Sequence, residues 1–297
     1  IDTGGNLLTV GGAATTTINS AITGTGGLTK DSAGTLTLSG TSDYTGQTTV
    51  SGGVLNITGS IASAIVSVSA GTLTVDGCAL ADSATVTLTG GTFSLSGSET
   101  IGVLSGTGGS VGLGSNTLTV GGATAGTFAG AISGSGGLTK SGSGTLTLTG
   151  FSSYTGGTTV SGGSLLVNGS LGSILSTMTV ASGGTLGGTG TVSGEVTVQS
   201  GGTLSPGASP GTLTISGDLT LNSGSTSVFE LNTPDVSGGA TNDFVSVGGT
   251  LVLGGTLDAT VGSAGYYYLF DYGGLFGGSF DTVTVSGVSG SINTVDT

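Results

Sequence analysis

Residues 4–60 and 114–170 are two copies of one sequence, aligning without a gap at a shift of 110 positions with 36 identities in 57. A long unit of this kind is built from smaller ones, and a shorter period is visible between the copies. AIVSVSAGTLTV at 64–75 returns as ATVTLTGGTFSL at 84–95, and VASGGTL at 180–186 returns as VQSGGTL at 198–204. The basic unit is therefore about 18 to 22 residues, so the 110-residue repeat holds five or six units. Few architectures tolerate such a period, and stacked single coils are foremost among them.

Within a unit the chain alternates cleanly, as in Thr35-Leu36-Thr37-Leu38, which puts the leucines on one face of a strand and the threonines on the other. Thr, Val, Leu and Ser dominate the residues between glycines and favour strands, while the strong helix formers are scarce. Hairpin meanders would space their two-residue turns more evenly than these gaps allow. A parallel coil fits instead, with equivalent residues of successive turns about 4.8 Å apart, leucine on leucine inside and threonine on threonine outside. The 66 glycines then serve corners, where positive φ or close backbone approach excludes a Cβ. Roughly fifteen turns would make a rod on the order of 70 Å long. A membrane β-barrel also alternates, but Ile1 to Ser200 hold five aromatic residues, too few for two aromatic girdles.

What the chain lacks limits its chemistry. It has no His, Arg or Trp, and its two basic side chains are Lys30 and Lys140. Histidine-based catalysis, arginine clamps for phosphate and a basic surface for nucleic acid are thereby excluded. The net charge of −13 disfavours anionic polymers and membranes and leaves cations or neutral glycans as ligands. No run of 18 apolar residues and no signal-peptide pattern is present, so no membrane insertion is expected of this segment and any leader would have been removed.

Single residues that could carry chemistry have simpler structural readings. Lys30 and Lys140 sit beside hydroxyl residues at the same repeat position, and a duplicated position argues for structure rather than a Ser-Lys catalytic pair. Tyr44 and Tyr154 recur in the same way and are expected to pack at corners rather than stack on sugars. Asp31, Asp43, Asp76, Asp82, Glu99, Asp218 and Asp243 are scattered singly and read as solvated turn residues, not a hydrolase cluster. Cys78, without a second cysteine or a histidine, reads as a small core filler. Calcium-loop, dinucleotide and P-loop patterns are missing. The expectation is no catalytic, cofactor-binding or metal residue, and no cofactor.

The string GGLTK (26–30, 136–140), followed by GTLTL (34–38, 144–148), YTG (44–46, 154–156) and TTVSGG (48–53, 158–163), resembles the passenger-associated repeat of bacterial autotransporters. Residues 202–231 and 241–257 resemble the stretch near the end of such passengers, and 266–285 is similar to their closing strands. The resemblance implies a right-handed parallel β-helix. It implies export to the cell exterior, and is compatible with a passenger piece, a processed product or a relative using another route. Together these readings predict an all-β solenoid in two parts: a repeat β-helix over 1–201 and a modified C-terminal segment over 202–297. The latter part is marked by nine of the fourteen aromatic residues, between Phe229 and Phe280.

The expected role is a non-catalytic extracellular rod, a stalk or scaffold at a bacterial surface. The first repeat enters without a cap, so end-to-end self-assembly into filaments is part of this reading. The competing class is an adhesin or glycan-binding module gripping a host protein or glycan, for which Tyr266 to Tyr272 is the one aromatic cluster available.

Overall fold

The computed structural model describes residues 1–207 and 210–287, and every element among them is a β-strand. The chain divides into two compact units, one comprising Ile1–Leu146 with Gly150–Gly156, the other Thr147–Thr149 and the chain from Gly157 onward.

In the first unit the alternating segments stack in parallel sheets. One sheet runs Leu8–Val10, Leu28–Lys30, Thr48–Val50, Ile65–Val68, Thr85–Leu88, Val103–Ser105, in that order. Its registers place Leu28, Thr48, Val66, Val86 and Leu104 in one inward column, all fully buried. A second sheet stacks Leu36, Leu55, Leu73, Phe93, Val111 and Ile132 in the same fashion. Outward, Thr9 lies against Thr29 and Thr29 against Thr49. The first sheet advances by 18 or 20 residues per turn from Leu28 to Leu104, matching the sequence period. Each turn buries its leucine and valine side chains on its neighbours, each worth about 1.5–3 kcal/mol, so no wide round core is needed.

The third face of this unit begins with Thr41–Ser42 and Ser60–Ile61 and continues at Ala79, whose carbonyl accepts from Ile61 N at 2.8 Å. It then passes to Glu99–Ile101, Leu118–Val120 and Leu138–Lys140. The two GGLTK strands, Leu28–Lys30 and Leu138–Lys140, thus lie in different sheets although their sequences are the same. From Leu28, five pairings lead through Thr48, Val66, Val86 and Leu104 to Gly126–Phe128, the last by the bridge Gly106↔Phe128. Two more strands, Ala131–Ser133 and then Leu138–Lys140, complete the 110 positions. The long repeat is therefore five turns and two of three faces, neither five units nor six.

The second unit also has three parallel sheets. They contain Thr158–Val160, Thr177–Val180, Glu195–Val198, Leu219–Leu221, Leu251–Leu253 and Phe276–Gly278; Gly163–Val167 through Thr282–Gly287; and Ser170–Leu171 through Phe270–Tyr272. Here the even period fails. Val196 pairs with Leu219, 23 positions on, Leu219 with Leu251, 32 on, and Leu251 with Phe276, 25 on. The described residues accordingly make fewer turns than fifteen even ones would, because extra residues leave the coil as loops between strands that remain in register. We retain as a proposal the division into 1–201 and 202–297, of which 208–209 and 288–297 lie outside the described residues.

Glycine is required most severely by close approach. A Cβ on Gly26 would lie 1.7 Å from the carbonyl oxygen of Asn6 in the preceding turn, and one on Gly136, at the same repeat position, 1.8 Å from that of Asn116.

Candidate functional site

The repeated lysines and tyrosines face inward. Lys30 is 1% exposed in a column continued by Val50, Val68 and Leu88. Its Nζ donates to the carbonyl of Ser32 in its own corner and, at 3.4 Å, to that of Gly52 one turn on. Lys140 is equally buried, donates to the Gly142 carbonyl, and has its ammonium pKa lowered by burial. The ammonium thus satisfies corner carbonyls that the tight turn leaves without strand partners. Tyr44, fully buried, hydrogen-bonds Thr48 Oγ1 at 2.7 Å, and burial pushes its phenol up to about 12. Tyr154 is buried as well. Neither lysine nor tyrosine of the repeat is presented to a ligand.

Three readings of single residues are corrected. Cys78 is exposed, not core, and sits at φ 52 beside Gly77 at φ 62 in a left-handed turn. Glu99 and Asp243 are buried, whereas Asp31, Asp43, Asp76, Asp82 and Asp218 are exposed as expected. Glu99 accepts from the amides of Ala79 (2.9 Å) and Leu80 (3.4 Å), fastening the far side of the Cys78 turn. Burial raises its pKa, the amides oppose the rise, and the negative charge of Asp82 adds to it. Among the described residues no three His, Cys, Asp or Glu side chains gather where a metal ion could be held.

Asp243 belongs to the most elaborated part of the second unit. Two loops leave the coil there, one between Leu231 and Asn242 and one between Val261 and Phe270. The first is closed at its base by Asn242, which is fully buried. Its Oδ1 accepts from Asn232 N (2.8 Å) and Thr233 N (2.9 Å), and its Nδ2 donates to the carbonyls of Thr233 (2.7 Å) and Val236 (2.6 Å). Beside it, Asp243 accepts from Gly211 N (3.0 Å) and Glu230 N (2.8 Å). Burial raises the Asp243 carboxyl to about 6, against those two amides and with the charge of Glu230 adding to the rise.

The second loop packs on the first. Asp235 N donates to Tyr266 O at 2.8 Å, and Gly265 lies so close to Pro234 that a Cβ there would be 2.3 Å from its ring. The Tyr267 hydroxyl turns back to Ser263 O at 2.6 Å. Residues 266 to 269 alternate between exposed and buried, so Tyr267 and Leu269 face in while Tyr266 (70% exposed) and Tyr268 (43%) share the outer side. The aromatic cluster expected at 266–272 therefore splits. Its outer members are Tyr266 and Tyr268, and Tyr272 instead stacks on Phe276 at 5.3 Å. Asn242 escapes sequence reasoning, since its four bonds run to a loop whose path no local pattern gives; the Pro- and Gly-bearing spacer before it is the only available sign.

Asp243 predicts a pH dependence. A carboxyl near 3.8 unfolded and about 6 folded contributes stability that is fully present below about pH 4 and lost as pH rises through about 6. The loss attributable to Asp243 should be on the order of 3 kcal/mol. Urea denaturation from pH 4 to 8, read as wild type minus Asp243→Asn, should show that decline; a rise over the same window would contradict the burial-driven shift.

Comparison with known proteins agrees with this architecture. Residues 28–57 and 138–167 match the passenger-associated-transport-repeat family. A stretch of 104 residues, 32% of the chain, is 49% identical to the adhesin BmaC autotransporter of Brucella suis biovar 1 (strain 1330). The chain spans 3% of that relative's length. The matched repeats are those whose strands, inward lysines and buried tyrosines are described above. The chain is a β-solenoid that carries two matches to the passenger-associated transport repeat and is similar over about a third of its length to an autotransporter adhesin.

Proposed function

We propose that this chain acts as a non-catalytic structural scaffold outside a bacterial cell, a solenoid that spaces and carries what is displayed on it. One observation carries the reading: the repeated lysines and tyrosines are turned inward, and the second copy begins on a different face from the first. An array built to bind a repeating ligand would set its repeated side chains along one outer stripe. Here the shared spacing of the two copies maintains corners, buried lysines and buried tyrosines, which serve the coil itself. The scarcity of charge suits this role, because like charges stacked about 4.8 Å apart would repel where hydroxyl ladders bond to one another. Two such contacts are Thr87 Oγ1 to Ser105 Oγ and Thr92 Oγ1 to Ser110 Oγ, each 3.0 Å.

The test has two arms. Purified chain incubated with polysaccharide, peptide and ester substrates should turn over none of them, and hydrolysis of any would set the non-catalytic reading aside. Association with further copies is the second element of the proposal, since the outermost strands of a parallel sheet present unpaired backbone groups. Light scattering and electron microscopy over a wide concentration range should show growth into unbranched filaments; monodisperse particles throughout would remove that element and leave the scaffold.

A further inference from the structure

We propose that the paired loops of the second unit form a binding platform for a neutral glycan, with Tyr266 and Tyr268 as its stacking surfaces. The inference goes beyond the scaffold role, which stands with or without it.

The platform is built, not frayed. Asn242 ties the first loop to itself through four hydrogen bonds, and Gly238 lies within a Cβ's reach of Thr212 and Phe244 on the coil. The second loop is tied to the first at Asp235 N and Tyr266 O, and to itself at Tyr267. Exposure alternates along 266 to 269, so the rings of Tyr266 and Tyr268 are exposed two positions apart with buried Tyr267 between them. Fixed tyrosines offer large amphipathic area with little conformational entropy to lose on binding.

Chemistry then selects the ligand. The second unit contains neither Lys nor Arg, while Asp235 lies in the loop and Asp271 follows it. An anionic ligand, whether sulfated or sialylated glycan, nucleic acid or acidic lipid, would meet only repulsion. A protein partner needs about 800 Å² of complementary surface with an apolar centre. The large apolar side chains exposed on these loops are Tyr266, Tyr268 and Val236, which suffice for one or two sugar rings and not for such a centre. A pyranose fits: its C–H face lies on a tyrosine ring, and its hydroxyls meet the tyrosine hydroxyls and the loop backbone.

The test uses the full chain with cellohexaose, maltohexaose and N-acetylchitohexaose as neutral probes and a heparin hexasaccharide as the anionic one, read by calorimetry and saturation-transfer NMR. At least one neutral probe should bind and heparin should not. Y266A/Y268A should weaken that binding at least about tenfold with an unchanged melting curve, and Y266F/Y268F should stay within about threefold of wild type. Absence of binding by every neutral probe at about 10 mM would overturn the proposal. So would binding unaffected by Y266A/Y268A, or a preference for heparin. Capture of a purified protein ligand through the same two tyrosines, with no neutral probe bound, would overturn the glycan assignment in favour of a protein partner.

Discussion

Replacing Gly26 with Ala should destabilise the first unit by more than about 4 kcal/mol, the range reserved for overpacking that cannot relax. The new Cβ would lie 1.7 Å from Asn6 O, 2.6 Å from Asn6 C and 2.9 Å from Asn6 N, all backbone atoms of the adjacent turn. A flexible side chain could move aside, whereas here the turn itself must. That turn is held by the ladder joining Leu8–Val10 to Leu28–Lys30, so separation costs hydrogen bonds as well as packing. Gly136→Ala meets the same obstacle at 1.8 Å from Asn116 O and should behave alike. Gly12 supplies the contrast: at φ +94 with nothing within 4 Å of an added methyl, its replacement by Ala should cost only about 1–2 kcal/mol of backbone strain. Denaturant midpoints of the three variants test the ranking; Gly26→Ala no worse than Gly12→Ala would show that the coils can part cheaply.

Asn242→Ala should cost about 3 kcal/mol and loosen the loop it closes. The amide side chain is fully buried and serves four backbone groups at 2.6 to 2.9 Å, so truncation removes this partner from Thr233 N, Thr233 O and Val236 O and leaves Asn232 N only its 3.2 Å bond to Thr241 O. A backbone group left unpaired away from water costs about 1–3 kcal/mol, and access of water to the exposed loop residues Asn232 and Val236 offsets part of the sum. Asn242→Asp should fare no better, since a carboxylate oxygen would replace the amide that donates to two carbonyls. Hydrogen exchange separates local from global effects: the amides of Asn232 and Thr233 should lose protection while those of the Val245 ladder keep theirs. A variant within about 0.5 kcal/mol of wild type would refute the closing role.

Much of this fold is legible in the sequence, and the reason is stacking. In a coil with a regular period every strand repeats the environment of the last, so the alternation of Thr35 to Leu38 specifies which side chains are buried in Leu55, Leu73 and Phe93 as well. Repetition alone marks Lys30 and Tyr44 as structural, because a residue that recurs at one coil position has one structural task, but the burial of Lys30 inside the coil is not read from it. The face on which the second copy falls is not legible. Turns of 18 to 22 residues divide 110 positions into anything between about five and about six, and only the pairing of strands decides.

Isolated positions at corners fail for a different reason. Cys78, Glu99 and Asp243 sit where the chain turns, and the groups that decide their burial come from elsewhere. Glu99 finds its amide donors 19 and 20 positions back, at Leu80 and Ala79, and Asp243 finds one of its donors 32 back, at Gly211. Local composition reports a carboxylate in a polar neighbourhood and nothing more. The loop pair is half legible: the aromatic cluster marks the place, while its division into inward Tyr267 and outward Tyr266 and Tyr268 depends on how the loop rejoins the coil, where Val245 N donates to Leu269 O.

The fractional number of turns in the long repeat has a consequence for how such a chain can grow. Copying the whole 110-residue block once more would swing every later element to a new azimuth, two-thirds of a circuit around the coil axis. Two copies would point it in the remaining direction, and three would bring it back to its original bearing. Lengthening by duplication therefore also sets the face on which the strand after the new block begins, without altering a residue in that strand.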